Sequence, residues 1–527
     1  MPSPAPDRAV VDALLHADAV SASGAAGSGA PLRVHAAISR FAVLYERVRN
    51  AVEYRDQHLH RKAAVVRILK RLLILEKDPV AIADRLLREL IGATYFPNAT
   101  VPESRVAEVA ERIRKYQAIQ SVRLGSSAHF SWLLGILAAE IEELASPAPR
   151  DKALASFLYE RLAERIRFED PSPIAPIDLK LQVYVAAFRS YLKADDDMLG
   201  WKLLRAYFPE WLRPGEWIQA PQATAERLVG IERRIRLTLD HPLSPKVRRA
   251  VRPWSVAFRL LVQAVESVPE AERPGLLADP DVLDKKLGAA IDAEAESARA
   301  KLRRGGVRAM AYLFLTKMFV AVLLEMPLEH IAFGHIDHFA LAVNLLFPPI
   351  LMLIVSLLIK VPGKENTEAL KKYAFGLLSA AGPDAPFLRL DRKRSLASRL
   401  VFGTVYAGIS VAIFGAVVWG LHRIDFTGVS IAIFVFFLCL VSFFAFRLRQ
   451  NAREAVVVSN AERGTSIVMD LASLPILRAG QWLSRQMGRF NILQFFFDFL
   501  FEAPFKMFLS VLEEWFAYLR EKKEALH

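Results

Sequence analysis

Cysteine is all but missing from this sequence: there is one, Cys439, in 527 residues. A disulfide framework and a cysteine metal site within one chain are thereby excluded. Aromatic residues are missing from the first 30 positions, which are rich in Ala, Ser, Pro and Gly. The charged-then-apolar order of a secretory signal is missing too, because Asp12, His16 and Asp18 break the run from Val10 to Val20. Residues 1–30 are expected to form a disordered tail. No HExxH zinc helix, Walker phosphate loop, GxGxxG after a strand, GxSxG elbow or CxxC pair occurs. The usual grounds for expecting an enzyme are therefore gone, and no cofactor is expected.

What is abundant is apolar length. Hydrophobic residues make up 53% of the chain, and the mean hydropathy is +0.24 although 24% of residues are charged. The excess lies mostly after residue 305, in four runs at about 309–326, 339–359, 400–421 and 429–446. Crossing the hydrocarbon of a bilayer takes roughly 17–25 helical residues. The second run contains Pro348 and Pro349 and is expected to kink; the first has Lys317 near its middle.

Charge in the connections alternates. Lys301, Arg303, Arg304 and Arg308 precede the first run, and the link 327–338 has no Lys or Arg. The link 360–399 has nine, 422–428 has only Arg423, and Arg447, Arg449 and Arg453 follow the last run. Under the positive-inside rule this pattern predicts four spans with both termini cytoplasmic.

Residues 31–305 carry apolar residues at helical spacing between Pro- or Gly-bearing breaks, with no set of alternating strands. The expected architecture is all-α: a cytoplasmic helical domain over 31–305, a four-helix transmembrane bundle over 306–446 with a cytoplasmic link at 360–399, and cytoplasmic helices over 447–527. Trp132–Ala139 is too short to span and reads as buried core. Basic residues cluster at Arg61, Lys62, Arg67, Lys70 and Arg71, and again at Arg233, Arg234, Arg236, Lys246, Arg248, Arg249 and Arg252. They suit either a solvated helix face or contact with anionic lipid head groups. No recognised motif accompanies them, so no specific nucleic acid is expected.

Beyond residue 488, Asn491, Gln494, Asp498, Glu502, Lys506, Ser510 and Glu513 fall on one helical stripe. Phe496, Phe499, Phe505 and Trp515 belong to the wide apolar remainder. Such a helix, over about 489–520, is expected to lie in the membrane interface, or alternatively to pack on another subunit.

Three groups could carry chemistry. Lys317, with Glu325 and Asn344, forms a candidate intramembrane polar site, since charges at such depth usually face a bundle interior and a partner. His330, His335, Asp337 and His338 form a candidate metal set in the outer link, although their spacing matches no defined motif. Gly408, Ala412 and Ala416 give the third run a small face for close helix packing.

The stretches RNAVEYRDQHLHRKAAVVRILKR, HIDHFALAVNLLFPPILMLIVSLLIKVPGKENTE and FDFLFEAPFKMFLSVLEEWFAYLREKKE resemble uncharacterised bacterial multi-pass membrane proteins with an N-terminal helical domain. The resemblance implies a bacterial inner-membrane setting and brings no activity with it. The leading expectation is a non-catalytic membrane-anchored scaffold or assembly protein. Its partners would be the lipid bilayer, anionic lipids, and other proteins or further copies of itself. The alternatives are a small channel or transporter using Lys317 and a membrane enzyme using the outer histidines.

Overall fold

The computed structural model describes residues 32, 57–96, 101–122, 124, 126–145, 149–169, 174–321, 326–327, 331, 338–358, 364–379, 387–388, 396–452 and 475–482. These residues are helical and contain no strand; one isolated β-bridge joins Phe168 and Leu388. The all-α expectation holds. The tail 1–30, Glu325, His330, His335, Asp337 and the segment 489–520 lie outside the described residues.

The chain divides into two compact units, Met1–Asp292 with Asn366–Asp391, and Ala293–Glu365 with Arg392–His527. In the first unit, α1 (Gln57–Leu75) and α2 (Pro79–Gly92) form a helical hairpin. Asp78 caps α2 by accepting from the Val80 and Ala81 amides, and Pro79 fits the first helical position because it has no N–H to leave unpaired. Next come α3 (Ser104–Ser121), α4 (Ser127–Ala145), α5 (Pro149–Ala163), α6 (Pro176–Tyr191) and α7 (Asp196–Tyr207). They are followed by α8 (Gln222–Leu239), α9 (Ser244–Glu266) and the short α10 (Arg273–Ala278).

Helix α4 is the centre of this unit. Every residue from Trp132 to Glu142 is buried, with α1, α3 and α7 packed around it. Close approach to α7 depends on two glycines: a Cβ on Gly135 would lie 2.5 Å from the Asp197 carboxylate, and one on Gly200 would lie 2.7 Å from Ile136. Helix α9 buries Val247, Val251, Trp254, Phe258, Leu261 and Val265, a stripe spaced alternately four and three residues apart, and packs on α6.

Helix α11 runs unbroken from Pro280 to Val320, about 60 Å at the α-helical rise. The boundary expected at 305 therefore falls inside a helix. Then come α12 (His338–Leu358), α13 (Lys364–Leu378), α14 (Leu396–Arg423) and α15 (Gly428–Ala452).

The expected link 360–399 is more than a connection, because its residues 366–391 belong to the first unit. Tyr373 meets Trp254 edge to face at 4.6 Å between ring centroids, and Lys371 pairs with Asp284 at 2.7 Å. The Arg161 guanidinium donates to the Leu377 and Ser379 carbonyls. Leu388 closes the bridge by donating to the Arg167 carbonyl and accepting from the Glu169 amide.

Among the described residues one helix is long and apolar enough to cross a membrane, at Leu400–Arg423 within α14. The apolar stretches 342–354 and 428–442 are shorter. In the second unit α12 packs on α15, joined by Met352, Phe437, Leu440 and Val441.

If Tyr373 holds α13 to the first unit, Tyr373→Ala loses the ring contact, worth about 0.5–1.5 kcal/mol beyond the buried area. Limited proteolysis of the full chain should then cut within 360–395 faster than in the wild type. An unchanged cleavage pattern would mean that the Arg161 and Lys371 bonds suffice.

Candidate functional site

In the second unit Lys317 is fully buried, on α11. Its Nζ lies 4.9 Å from the ring centroid of Phe437 on α15. Asn344, on α12, is buried as well, and its side-chain amide donates to the Ser430 carbonyl at 3.3 Å. The polar candidates thus both meet α15, but seven residues apart, about 10 Å along the helix. Their proposed companion Glu325 lies outside the described residues.

The outer metal candidates His330, His335 and Asp337 are also outside them, and His338 opens α12. Among the described residues no group of three His, Cys, Asp or Glu could hold a metal ion.

Two of the basic residues expected to face lipid do not. Lys62 is buried and bonds Asp195 and Asp197, while Arg61 pairs with Glu142 at 3.0 Å. A run of charges along a helix leaves open which of them turn inward, and here acids on α4 and α7 draw in two. Lys70 and Arg71 are exposed, Arg71 pairing with Glu89, and Arg67 is half-buried. Arg248 and Arg249 are exposed and Arg252 is half-buried.

The densest polar assembly among the described residues carries no motif in the sequence. Glu140, Glu142 and Glu143 occupy the last turns of α4, and each is matched from a different direction. Glu140 accepts from Lys115 at 2.7 Å and from the Tyr116 hydroxyl at 3.1 Å, with Arg112 at 3.1 Å. The Lys115 ammonium also lies 4.5 Å from the Trp211 ring centroid. Glu142 takes Arg61. Glu143 accepts from Lys152 at 2.8 Å and from the Trp201 indole at 2.5 Å. At the other end of α4, buried His129 bonds Glu232, which also holds Arg236, and stacks on Trp132. The only local signal is the three glutamates of EIEE at the end of an apolar run.

Burial sets the electrostatics of this assembly. It draws the Lys115 ammonium below its ordinary value against the pull of Glu140. It raises the Glu142 carboxyl although Arg61 opposes it. Burial would raise Glu143 as well, but Lys152, Lys202 and Arg205 outweigh it and hold that carboxyl below its usual range. Lys202, with Nζ 4.6 Å from the Phe188 ring centroid, is lowered by burial from 10.5 to about 8. The arrangement can hold charge in a fixed pattern. It presents no activated nucleophile next to a base and no converging open ligands, so it reads as architecture.

No protein family, no curated protein and no solved structure matches this chain.

The shift at Lys202 carries a prediction. Its folded value lies below its unfolded one, so this group's contribution to stability is present above pH 10.5 and is lost as pH falls to about 8. Lys202→Met should therefore stabilise the chain at pH 7 by about 1–3 kcal/mol, with the gain shrinking toward pH 10. Thermal melts of the full chain in micelles across that range test it; a gain independent of pH would assign the effect to packing alone.

Proposed function

We propose that this chain is a non-catalytic, membrane-anchored scaffold or assembly protein of the bacterial inner membrane. A four-helix membrane region over 306–446 would hold the first unit at the cytoplasmic face to recruit partners. The carrying observation is the surface of α14. Leu400, Val411 and Trp419 are 68%, 74% and 62% exposed, and no residue from Leu400 to Gly420 is buried within the structure. A helix of that length and composition belongs in hydrocarbon.

Chain connectivity supports the pairing of the spans. Residues 366–391 fold into the same unit as 1–292, so the intervening chain must return to the side it left. Any crossings between 292 and 366 are even in number, which suits the pair expected at 309–326 and 339–359. It also suits the Lys- and Arg-rich link lying on the same side as the N-terminal region.

A second reading is a channel or transporter, favoured by the burial of Lys317 against Phe437. The two readings separate on Lys317→Met. In a scaffold, reconstituted wild-type protein carries no ion or solute flux, and the variant melts at the same or a higher temperature, as when other buried charges are replaced by apolar groups. A reproducible wild-type flux abolished by Lys317→Met would replace the scaffold with the transporter.

Topology gives an independent test. A thiol reagent that cannot cross the membrane should label Gly334→Cys in intact cells and leave Gly382→Cys untouched. Labelling of Gly382→Cys from outside would overturn the arrangement.

A further inference from the structure

Much of the chain's positive charge is gathered on two consecutive helices of the first unit and the short link between them. Between Arg227 and Arg259 stand nine Lys or Arg residues and two acids, Glu232 and Asp240, a surplus of seven where the whole chain has thirteen. Folding decides where this charge points. Helix α8 buries Leu228, Ile235 and Leu239, and α9 buries its stripe from Val247 to Val265. With those faces inward, Arg233, Arg234, Arg248 and Arg249 are exposed. Glu232, which could have compensated them, is buried and turned onto His129 and Arg236.

Helix α8 also exposes aliphatic side chains. Leu237 is 66% exposed and Val229 is 39% exposed, both on α8 among its arginines. Single-stranded nucleic acid is held by aromatic platforms on which bases stack. Here the nearby rings lie beneath guanidinium groups of the chain itself: Tyr207 under Arg234 at 4.4 Å and Phe208 under Arg227 at 4.5 Å. Arginines around exposed aliphatic residues suit a surface that offers phosphate groups above hydrocarbon.

We propose that the α8–α9 surface docks on the anionic head groups of the bilayer that anchors the chain, with Leu237 entering the interface. This rests on the membrane-anchored reading and adds to it a second, reversible contact. The contact would depend on lipid charge, which insertion of apolar spans does not. Each basic residue near an anionic surface favours the docked state by about fivefold.

The test uses the full chain with Leu237→Cys carrying an environment-sensitive fluorophore, and the chain without that substitution as the labelling blank for Cys439. It is reconstituted into vesicles of phosphatidylcholine alone or mixed with phosphatidylglycerol. Flotation with the vesicles is measured first; a chain that does not float overturns the anchored reading itself. For a chain that floats, phosphatidylglycerol should shift the probe's emission to the blue and shield it from iodide, and pure phosphatidylcholine should do neither. Combining Arg233→Gln, Arg248→Gln and Arg249→Gln should lower the docked-to-undocked ratio about a hundredfold. The corresponding Arg→Lys substitutions should preserve docking. A floating chain whose probe behaves alike in both lipids overturns the docking proposal alone. So does a probe that is shielded by added single-stranded RNA and not by phosphatidylglycerol.

Discussion

The first unit depends on the neutralisation of three carboxylates at the buried end of α4. Glu140, Glu142 and Glu143 sit where the helix dipole is negative, so both the dipole and burial oppose their charge. The fold meets that cost by bringing Lys115 and Arg112 from α3, Arg61 from α1 and Lys152 from α5 to them. Removing one partner from such a pair typically costs about 3–5 kcal/mol, whereas a wholly apolar replacement can be neutral or better. The network is therefore better understood as fixing which helix faces α4, and in which register, than as a net source of stability. Gly135 and Gly200 belong to the same constraint, since they bring α7 close enough for Asp197 to reach Lys62.

The second unit obeys a different condition. Leu400, Val401, Phe402, Val405, Val411, Val418 and Trp419 are all exposed on α14. Even with partial exposure discounted, leaving these seven side chains in water forgoes roughly 7–15 kcal/mol. That is as large as the whole stability of a typical domain. Such a helix needs a cover outside the described structure. Its length, matched to hydrocarbon thickness, and the absence of charge between Leu400 and Leu421 favour lipid over a second soluble chain.

These conditions also explain what the sequence made legible. Helical class, the buried character of Trp132–Ala139 and the apolar length of α14 are all periodic or compositional, and periodicity is a local property. What escaped was pairing across the chain. Arg61 meets Glu142 over 81 residues and Arg161 meets Ser379 over 218, and neither separation leaves a trace in a local window. Arg61 and Lys62 share one basic run with Lys70 and Arg71, and nothing local separates the two that turn inward from the two that stay exposed. The role of 366–391 is hidden in the same way: a link with nine Lys or Arg residues reads as a connector, yet Tyr373 and Leu377 carry it into the first unit. A boundary at 305 follows the change in composition, while the helix continues through Gly305 and Gly306 because no proline interrupts it.

The candidate polar site was legible as residues but not as a site. A path for ions or solutes needs polar groups that converge on a common, wettable space. Lys317 and Asn344 are each sealed from solvent, and they meet α15 at Phe437 and Ser430, two turns apart. The Phe437 ring, at about 2 kcal/mol for a desolvated cation, offsets part of the cost of burying the ammonium. The Asn344 amide answers a backbone carbonyl, which is how polar side chains join helices in an apolar setting. Both residues therefore act as fasteners between α11, α12 and α15 at separate levels.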